Sequence, residues 1–360
     1  MFGFKELNAL HLEITTRCQA SCPMCSRNYR GGMDNPNLVL EDWTLDDFKN
    51  IINDEVLAQV NHIYFCGNFG DPIVNQDLIP MIRYVRDNSD TQIRIHTNGG
   101  ARTKDWWREL AGAMPDNHCV IFGIDGLEDT HHIYRAGTTY ENVTANARAY
   151  IEAGGEAEWV FIKFKHNEHQ VETARQRAKE LGFARFTVKN STRFMEPSFR
   201  VLDKQGAVVG QLEPPSDNQV VLVDARMLKK FDSWMDGAEI NCYVKGNREL
   251  YLDAHKHLFP CCFLASTPYN YIEPGAIISP IKEKIREQYD DLIDSLGGMD
   301  TLDLDKRSIN EIISDDRWQT VWDTYWNDKK LITCARTCGV NKELDISKPA
   351  DQFVERIDLG

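Results

Sequence analysis

Three cysteines, Cys18, Cys22 and Cys25, fall in the spacing C-x3-C-x2-C within ITTRCQASCPMCSRN, residues 14–28, and no fourth cysteine stands nearby. Thiolates are soft ligands that suit zinc, copper(I) and iron–sulfur clusters. Three of them on one short loop can converge on one centre. If that centre is a four-iron cluster, three protein ligands leave one iron open to bind and activate a second molecule. A structural zinc or a group of reactive thiols is the competing reading. Structural zinc is ordinarily closed by four protein ligands, and nothing adjacent supplies the fourth.

The chain that carries this loop has 360 residues, 42% hydrophobic and 27% charged, with no low-complexity run. That is a globular composition, and the length fits one large domain plus a smaller one. The 55 Asp and Glu outnumber the 41 Lys and Arg, giving a net charge of −14 that is spread along the chain. Binding to nucleic acid or to an anionic membrane through a basic surface is disfavoured on that ground. No window approaches about 18 uninterrupted apolar residues, and MFGFKELNAL lacks the apolar core of a signal peptide, so neither a membrane span nor a secretory signal is expected. A cytoplasmic location follows as the expectation, and in a reducing cytosol the ten cysteines are expected as metal ligands or catalysts in preference to disulfides.

The elements that must position the loop show as an alternation of short β-rich runs with amphipathic helical stretches from residue 10 to 190. The strand candidates are residues 10–15, 62–67, 92–97, 119–125, 158–164 and 185–190. One helix is expected over TLDDFKNIINDEVLAQ, opened by a capping box of Thr44 with Asp47; another over HQVETARQRAKELG is ended by Gly182. Six β/α units make either a doubly wound sheet or an incomplete (β/α) barrel, and in both the active residues gather at the C-terminal ends of the strands. The proline-bearing segment 196–240 reads as a linker with a hairpin at QGAVVG. After it, NCYVKG and ELYLDAHKHLFPCC read as strands. Cys66 and Cys119, alone in apolar runs, read as small buried hydrophobes, and His11 and His96 as core or lining residues. Trp318, Trp322 and Trp326 recur every four residues, the pattern of a buried helix face.

The loop EITTRCQASCPMCSR resembles the cluster-binding loop of the radical S-adenosylmethionine (SAM) superfamily, with Met24 where an aromatic residue is common before the third cysteine. The resemblance implies a partial (β/α)6 TIM-like barrel over 1–195, with Cys18, Cys22 and Cys25 holding a [4Fe–4S] cluster whose open iron binds SAM, and with Met24 near the adenine. FCGNFGDP resembles the family's glycine-rich turn, with Asp71 in place of the usual Glu; Gly67, Asn68, Gly70 and Asp71 are then expected around the SAM ammonium. HTNGG and GIDGLEDTHHIYRAG resemble the segments near the SAM ribose and carboxylate, which assigns Asn98, Asp125 and Arg135, the last to the carboxylate. Gly123 stands where that family often has Ser. Taken singly, each of these is also an ordinary turn.

Cys242, Cys261, Cys262, Cys334 and Cys338 return late in the chain. Their arrangement is similar to the twitch or SPASM extension of the same superfamily, which implies a smaller α+β domain at 241–345 holding an auxiliary [4Fe–4S] cluster on Cys242, Cys261, Cys334 and Cys338, with Cys262 as an alternative to Cys261. The late pair is spaced C-x3-C where that extension has C-x2-C, and a structural zinc on the same four thiols is the alternative. Residues 346–360 are expected as a tail.

The resemblance implies an enzyme that cleaves SAM reductively to a 5′-deoxyadenosyl radical and abstracts a hydrogen atom, to modify or oxidise a peptide or protein residue. The alternatives are a radical dehydrogenase of a small-molecule alcohol and a non-catalytic iron–sulfur or zinc protein. It implies an electron donor such as flavodoxin or ferredoxin. With 17 residues ahead of Cys18, no fused N-terminal peptide-recognition domain is expected. No general base stands out.

Overall fold

Six parallel strands in chain order build the large sheet of the computed structural model, which describes residues 1–114, 117–191, 193–194, 197–217, 231–270, 272, 279–340 and 353–359. They are β1 (Ala9–Leu12), β2 (His62–Phe65), β3 (Gln92–Thr97), β4 (Cys119–Gly123), β5 (Ala157–Lys163) and β6 (Arg185–Asn190). Neighbours in sequence are neighbours in the sheet, as a partial (β/α)6 TIM-like barrel demands. Six of the expected strands are therefore present, with β1 ending three residues early. The next residue, Glu13, still donates its amide to the Leu252 carbonyl at 2.9 Å, while its carboxylate reaches the turn after β2.

Burial alternates along β3, where Ile93, Ile95 and Thr97 are buried and the intervening residues are half-buried. The apolar set packs outward under the helices Leu78–Asn88, Lys104–Ala113, Tyr140–Glu152 and Val171–Glu180. The inner face is partly polar. His11 meets Tyr64 edge-on at 4.7 Å and Tyr251 at 4.8 Å, and Tyr64 meets His96 at 4.7 Å. Burial pushes His11 down to about 4, so its ring is neutral and lines the interior. Cys119 is buried with Ile121 and Val160, while Cys66 is half-buried.

Thr44 caps Leu45–Ile51 with the expected box, accepting from the Asp47 amide at 3.1 Å while Asp47 accepts from the Thr44 amide at 2.9 Å. The helix does not continue to residue 59. Asn53 accepts from the Val56 amide at 3.2 Å and starts a separate turn, Asp54–Leu57, because an asparagine that caps stops the helix it would otherwise join. The expected hairpin near QGAVVG is present as antiparallel Phe199–Leu202 and Val208–Leu212. Of the segment expected as a linker, residues 196 and 218–230 lie outside the described residues, as do 346–352 of the expected tail.

The C-terminal region shares the barrel's sheet. β7 (Glu249–Leu252) runs parallel to β1 in the register Ala9↔Glu249 to Leu12↔Leu252, and β8 (Leu258–Phe259) turns back against it. At the opposite edge, β9 (Phe353–Asp358) pairs antiparallel with β6, in a stretch expected as a tail. Arg175 to Glu355 at 2.5 Å and Arg185 to Asp358 at 2.7 Å fasten it, and the strand covers backbone groups that β6 would leave unpaired. NCYVKG is not a strand: Ile240 pairs with Gly339, and Tyr243–Asn247 then forms a short helix that buries Val244 alone before Arg248, at φ 55°, turns the chain into β7.

Trp159 on β5 is fully buried and donates from its indole nitrogen to the Ile124 carbonyl at 2.8 Å, one residue before Asp125. Trp159→Ala is expected to cost about 3–5 kcal/mol in denaturant unfolding.

Candidate functional site

Cys18, Cys22 and Cys25 lie beyond the C-terminal end of β1, on a loop fixed at several points. Thr15 donates to Asp42 at 2.6 Å, and Arg17 pairs with the same carboxylate at 2.6 Å. The Ser21 amide donates to the Ala136 carbonyl at 2.8 Å, the Cys25 amide to the Cys22 carbonyl at 2.9 Å, and Asn28 to that carbonyl at 3.2 Å. Met24 is buried beneath the loop with Ala20, Cys22, Tyr134, Phe164 and Phe194, an apolar floor that keeps water from one side of the thiols. The Met24 carbonyl accepts from Arg193 at 2.6 Å. Burial pushes the Cys22 thiol up to about 11 and raises Cys18 further, with Asp71 adding to the rise. Cys18 also feels the charge of Cys22 and Cys25, and Cys22 that of Cys25. Among the described residues no three Cys, His, Asp or Glu side chains are drawn to the short distances that a single ion imposes.

The glycine-rich turn after β2 is pressed against the start of this loop. A Cβ on Gly70 would strike the Thr15 carbonyl, and one on Gly67 would strike the Gly70 carbonyl. The turn is held by Glu13, a residue that the sequence reading passed over. Its carboxylate accepts from the amides of Phe69 at 2.7 Å and Gly70 at 3.1 Å and from the Tyr251 hydroxyl on β7. Burial pushes Glu13 up to about 7, against the lowering effect of those donors. The signal was present in LHLEIT, a charged residue inside an apolar run.

The structure gives the side chains of Asn68 and Asp71 partners within the protein. Asn68 turns its side-chain amide away from the loop, donating to the Cys262 carbonyl at 2.8 Å and the Tyr251 hydroxyl at 3.3 Å, so its side chain ties the turn to the C-terminal region. Asp71 accepts from the Asn98 amide at 2.7 Å, Thr97 at 3.1 Å and the Ile73 amide at 3.2 Å, which fastens β2's turn to the end of β3. Each carboxylate oxygen of Asp71 thus accepts at least one hydrogen bond from the protein. Asn98 itself reaches the loop: its side-chain nitrogen is 3.5 Å from the Cys18 sulfur, and its oxygen accepts from Gln19 at 2.5 Å.

Asp125 and Arg135 form one buried unit. The Arg135 Nε donates to Asp125 Oδ2 at 2.5 Å, while Oδ1 accepts from the Ile162 amide at 2.5 Å. Burial disfavours the Arg135 cation, and Asp125 outweighs it, so the guanidinium stays charged beside the Cys22 sulfur. A Cβ on Gly123 would strike the Arg135 guanidinium. The glycine that stands in place of Ser is thereby explained: the arginine occupies that volume.

The late cysteines gather around a second cavity. Cys242 precedes the helix Tyr243–Asn247, Cys261 precedes Cys262–Ala265, and Cys334 and Cys338 share the helix Ile332–Cys338. Four residues apart on a helix, the last two thiols face the same way, which is why C-x3-C serves where a loop would use C-x2-C. All four line one cavity with Tyr243, Phe263 and Trp326. Cys262 is absent from that lining and lies by Cys66 and Glu13 on the barrel side. Trp318, Trp322 and Trp326 are buried in a row, with ring centres 5.2 and 5.7 Å apart. The helix is regular only to Asp323 and widens to a π-helix over Thr324–Asp328.

Residues 12–187 match the Radical SAM superfamily, and the chain carries a radical SAM domain there. The cofactors of that superfamily are a [4Fe–4S] cluster and SAM, and a soft, open-sided set of three thiols with the cationic Arg135 beside it fits them. The chain is 31% identical over 137 residues to the tungsten-containing aldehyde ferredoxin oxidoreductase cofactor-modifying protein of Pyrococcus furiosus, covering 38% of this chain and 36% of that one. It is 27% identical over 129 residues to the PqqA peptide cyclase of Bradyrhizobium diazoefficiens, covering 35% and 32%. The matches thus span about a third of each relative's length. Its fold is similar to that of anSMEcpe solved with AdoMet and the Cp18Cys peptide, with a TM-score of 0.51, 14% identity, and 92% and 88% of the two chains covered. It is also similar to that of Streptococcus suis SuiB, with a TM-score of 0.50, 14% identity, and 78% and 68% covered. No helix among the described residues is long and apolar enough to cross a membrane.

Gly123→Ala is expected to push the buried Arg135 guanidinium from its place and to cost about 1–3 kcal/mol in denaturant unfolding, as overpacking of a filled interior does. Glu13 binds a proton in the folded state up to about pH 7 but only up to about pH 4.5 when unfolded. Between those values the folded form holds more protons, so its stability falls as pH rises. Glu13→Gln is expected to flatten that slope in thermal unfolding measured from pH 4.5 to pH 7.

Proposed function

We propose that the protein is a radical SAM enzyme whose SAM-binding cluster is held by Cys18, Cys22 and Cys25 and whose auxiliary [4Fe–4S] cluster is held by Cys242, Cys261, Cys334 and Cys338. The observation that carries the first assignment is the meeting of the three-cysteine loop with Asn98, Asp125 and Arg135 at the ends of β1, β3 and β4. When bound, the cluster supplies an electron that cleaves SAM to methionine and a 5′-deoxyadenosyl radical, which takes a hydrogen atom from substrate. The chain's own residues do the rest. Arg135, held charged by Asp125, receives the methionyl carboxylate through its terminal nitrogens. The carbonyls of the Gly67–Gly70 turn, oriented by Glu13, face the ammonium. Asn98 donates toward the Cys18 sulfur, and the floor under Met24 excludes water.

The second assignment rests on one cavity lined by four thiols, and Cys261, not Cys262, is its ligand because Cys262 lies outside that lining. The substrate is a peptide or protein residue. Support comes from the similarity to a PqqA peptide cyclase and from the peptide bound in the anSMEcpe structure of like fold. An electron donor of the flavodoxin or ferredoxin class serves the first cluster.

The reconstituted protein, reduced with dithionite and given SAM, is expected to release 5′-deoxyadenosine, and Cys18→Ala, Cys22→Ala and Cys25→Ala are each expected to abolish it. Equal turnover by wild type and these variants would sink the reading. Deuterium carried from labelled peptides into 5′-deoxyadenosine identifies the substrate, whereas transfer from a small alcohol would overturn the peptide assignment.

A further inference from the structure

Trp326 is the one member of the indole row that lines the four-cysteine cavity. It is 6% exposed, and its indole N–H is buried with no hydrogen-bond partner. A buried donor left unpaired is costly and marks a group that the site has yet to receive. The cavity it lines is shared with the sulfur-bearing side chains of Cys242, Cys261, Cys334 and Cys338, so a group held by those thiols is what the N–H would meet. The Lys245 ammonium lies over the ring, 5.3 Å from its centre, which draws electron density from the indole and makes the N–H a stronger donor. The π-helix over Thr324–Asp328 is what places it: Trp326 falls inside the widened turn, between the regular helix that holds Trp318 and Trp322 and the helix that holds Cys334.

Resting on the auxiliary-cluster reading above, we propose that Trp326 is a redox-positioning residue that donates its indole N–H to a sulfur of the cluster held in this cavity and thereby raises that cluster's reduction potential. Hydrogen bonds to the sulfurs of an iron–sulfur centre stabilise its more negative, reduced form. The buried location strengthens the effect, because little solvent screens it. Trp318 and Trp322 also have unpaired indole nitrogens, but neither lines the cavity, so they serve as matched controls.

The test is a potentiometric titration followed by electron paramagnetic resonance on the full chain carrying Cys18→Ala, Cys22→Ala and Cys25→Ala, so that the auxiliary cluster titrates alone. Trp326→Phe is expected to lower the equilibrium constant for one-electron reduction about tenfold, a shift of about 59 mV to more negative potential, while Trp322→Phe leaves it in place. An unchanged potential in Trp326→Phe with the cluster intact, or an equal shift in Trp322→Phe, would overturn the proposal. Independently of whether that variant assembles its cluster, protein labelled with 15N at the tryptophan indoles is expected to show a nitrogen coupling to the reduced cluster in pulsed resonance, and its absence would also overturn it. Iron and sulfide for a single cluster in the unmodified chain, or zinc in the late site, would overturn the auxiliary-cluster reading itself and this inference with it.

Discussion

The parallel pairing of Ala9–Leu12 with Glu249–Leu252 sets the geometry on which both cysteine groups depend. β1 leads directly into the first cysteine loop, and β7 leads through a tight turn and β8 to Cys261. Because the two strands share a hydrogen-bonded ladder, the distance between the groups is a property of one sheet and not of a hinge between separate bodies. Glu13, the residue after that ladder's last pair, joins Tyr251 of β7 across it, with the glycine-rich turn hung from the same carboxylate. Asn35 and Trp43 add two more ties, donating to the carbonyls of Tyr269 at 2.7 Å and Asp253 at 3.2 Å.

A site assembled from strand ends needs its loops held more stiffly than loops usually are, and here the stiffness comes from buried polar groups that serve backbone. Asp71, Asn98, Asp125 and Glu13 each hold main-chain or neighbouring side-chain groups in place, so the cost of burying them is offset by bonds that fix the loops. Little of this polar inventory is then available to do chemistry directly. Arg135 is the exception, since its bond to Asp125 uses Nε and its guanidinium lies beside the Cys22 sulfur of the loop.

The strands of the barrel were largely legible because their apolar periodicity is local: residues 92–97 and 185–190 are strands to the residue. The cysteine loop was legible because ligand spacing is local too. What the sequence could not reveal was partnership over long distance. NCYVKG has the composition of a strand, yet the pairing edge beside β1 is filled only from Glu249, so the segment coils into a helical turn. Residues 353–358 gave no sign that the free edge of β6 would take them up. Nothing local to Asn68 predicts that Cys262, far along the chain, would supply the carbonyl that takes its side-chain amide. The C-x3-C spacing looked like a departure until a helix was known to carry it.

Gly123 and Arg135 compete for one volume, which makes them a single unit of inheritance written at two positions. A side chain at 123 would have to move the tip of the arginine, and a shorter residue at 135 would open the corner that the glycine leaves bare. A change at either position therefore alters what the other can hold, so the two are best thought of as one choice about how that corner is filled.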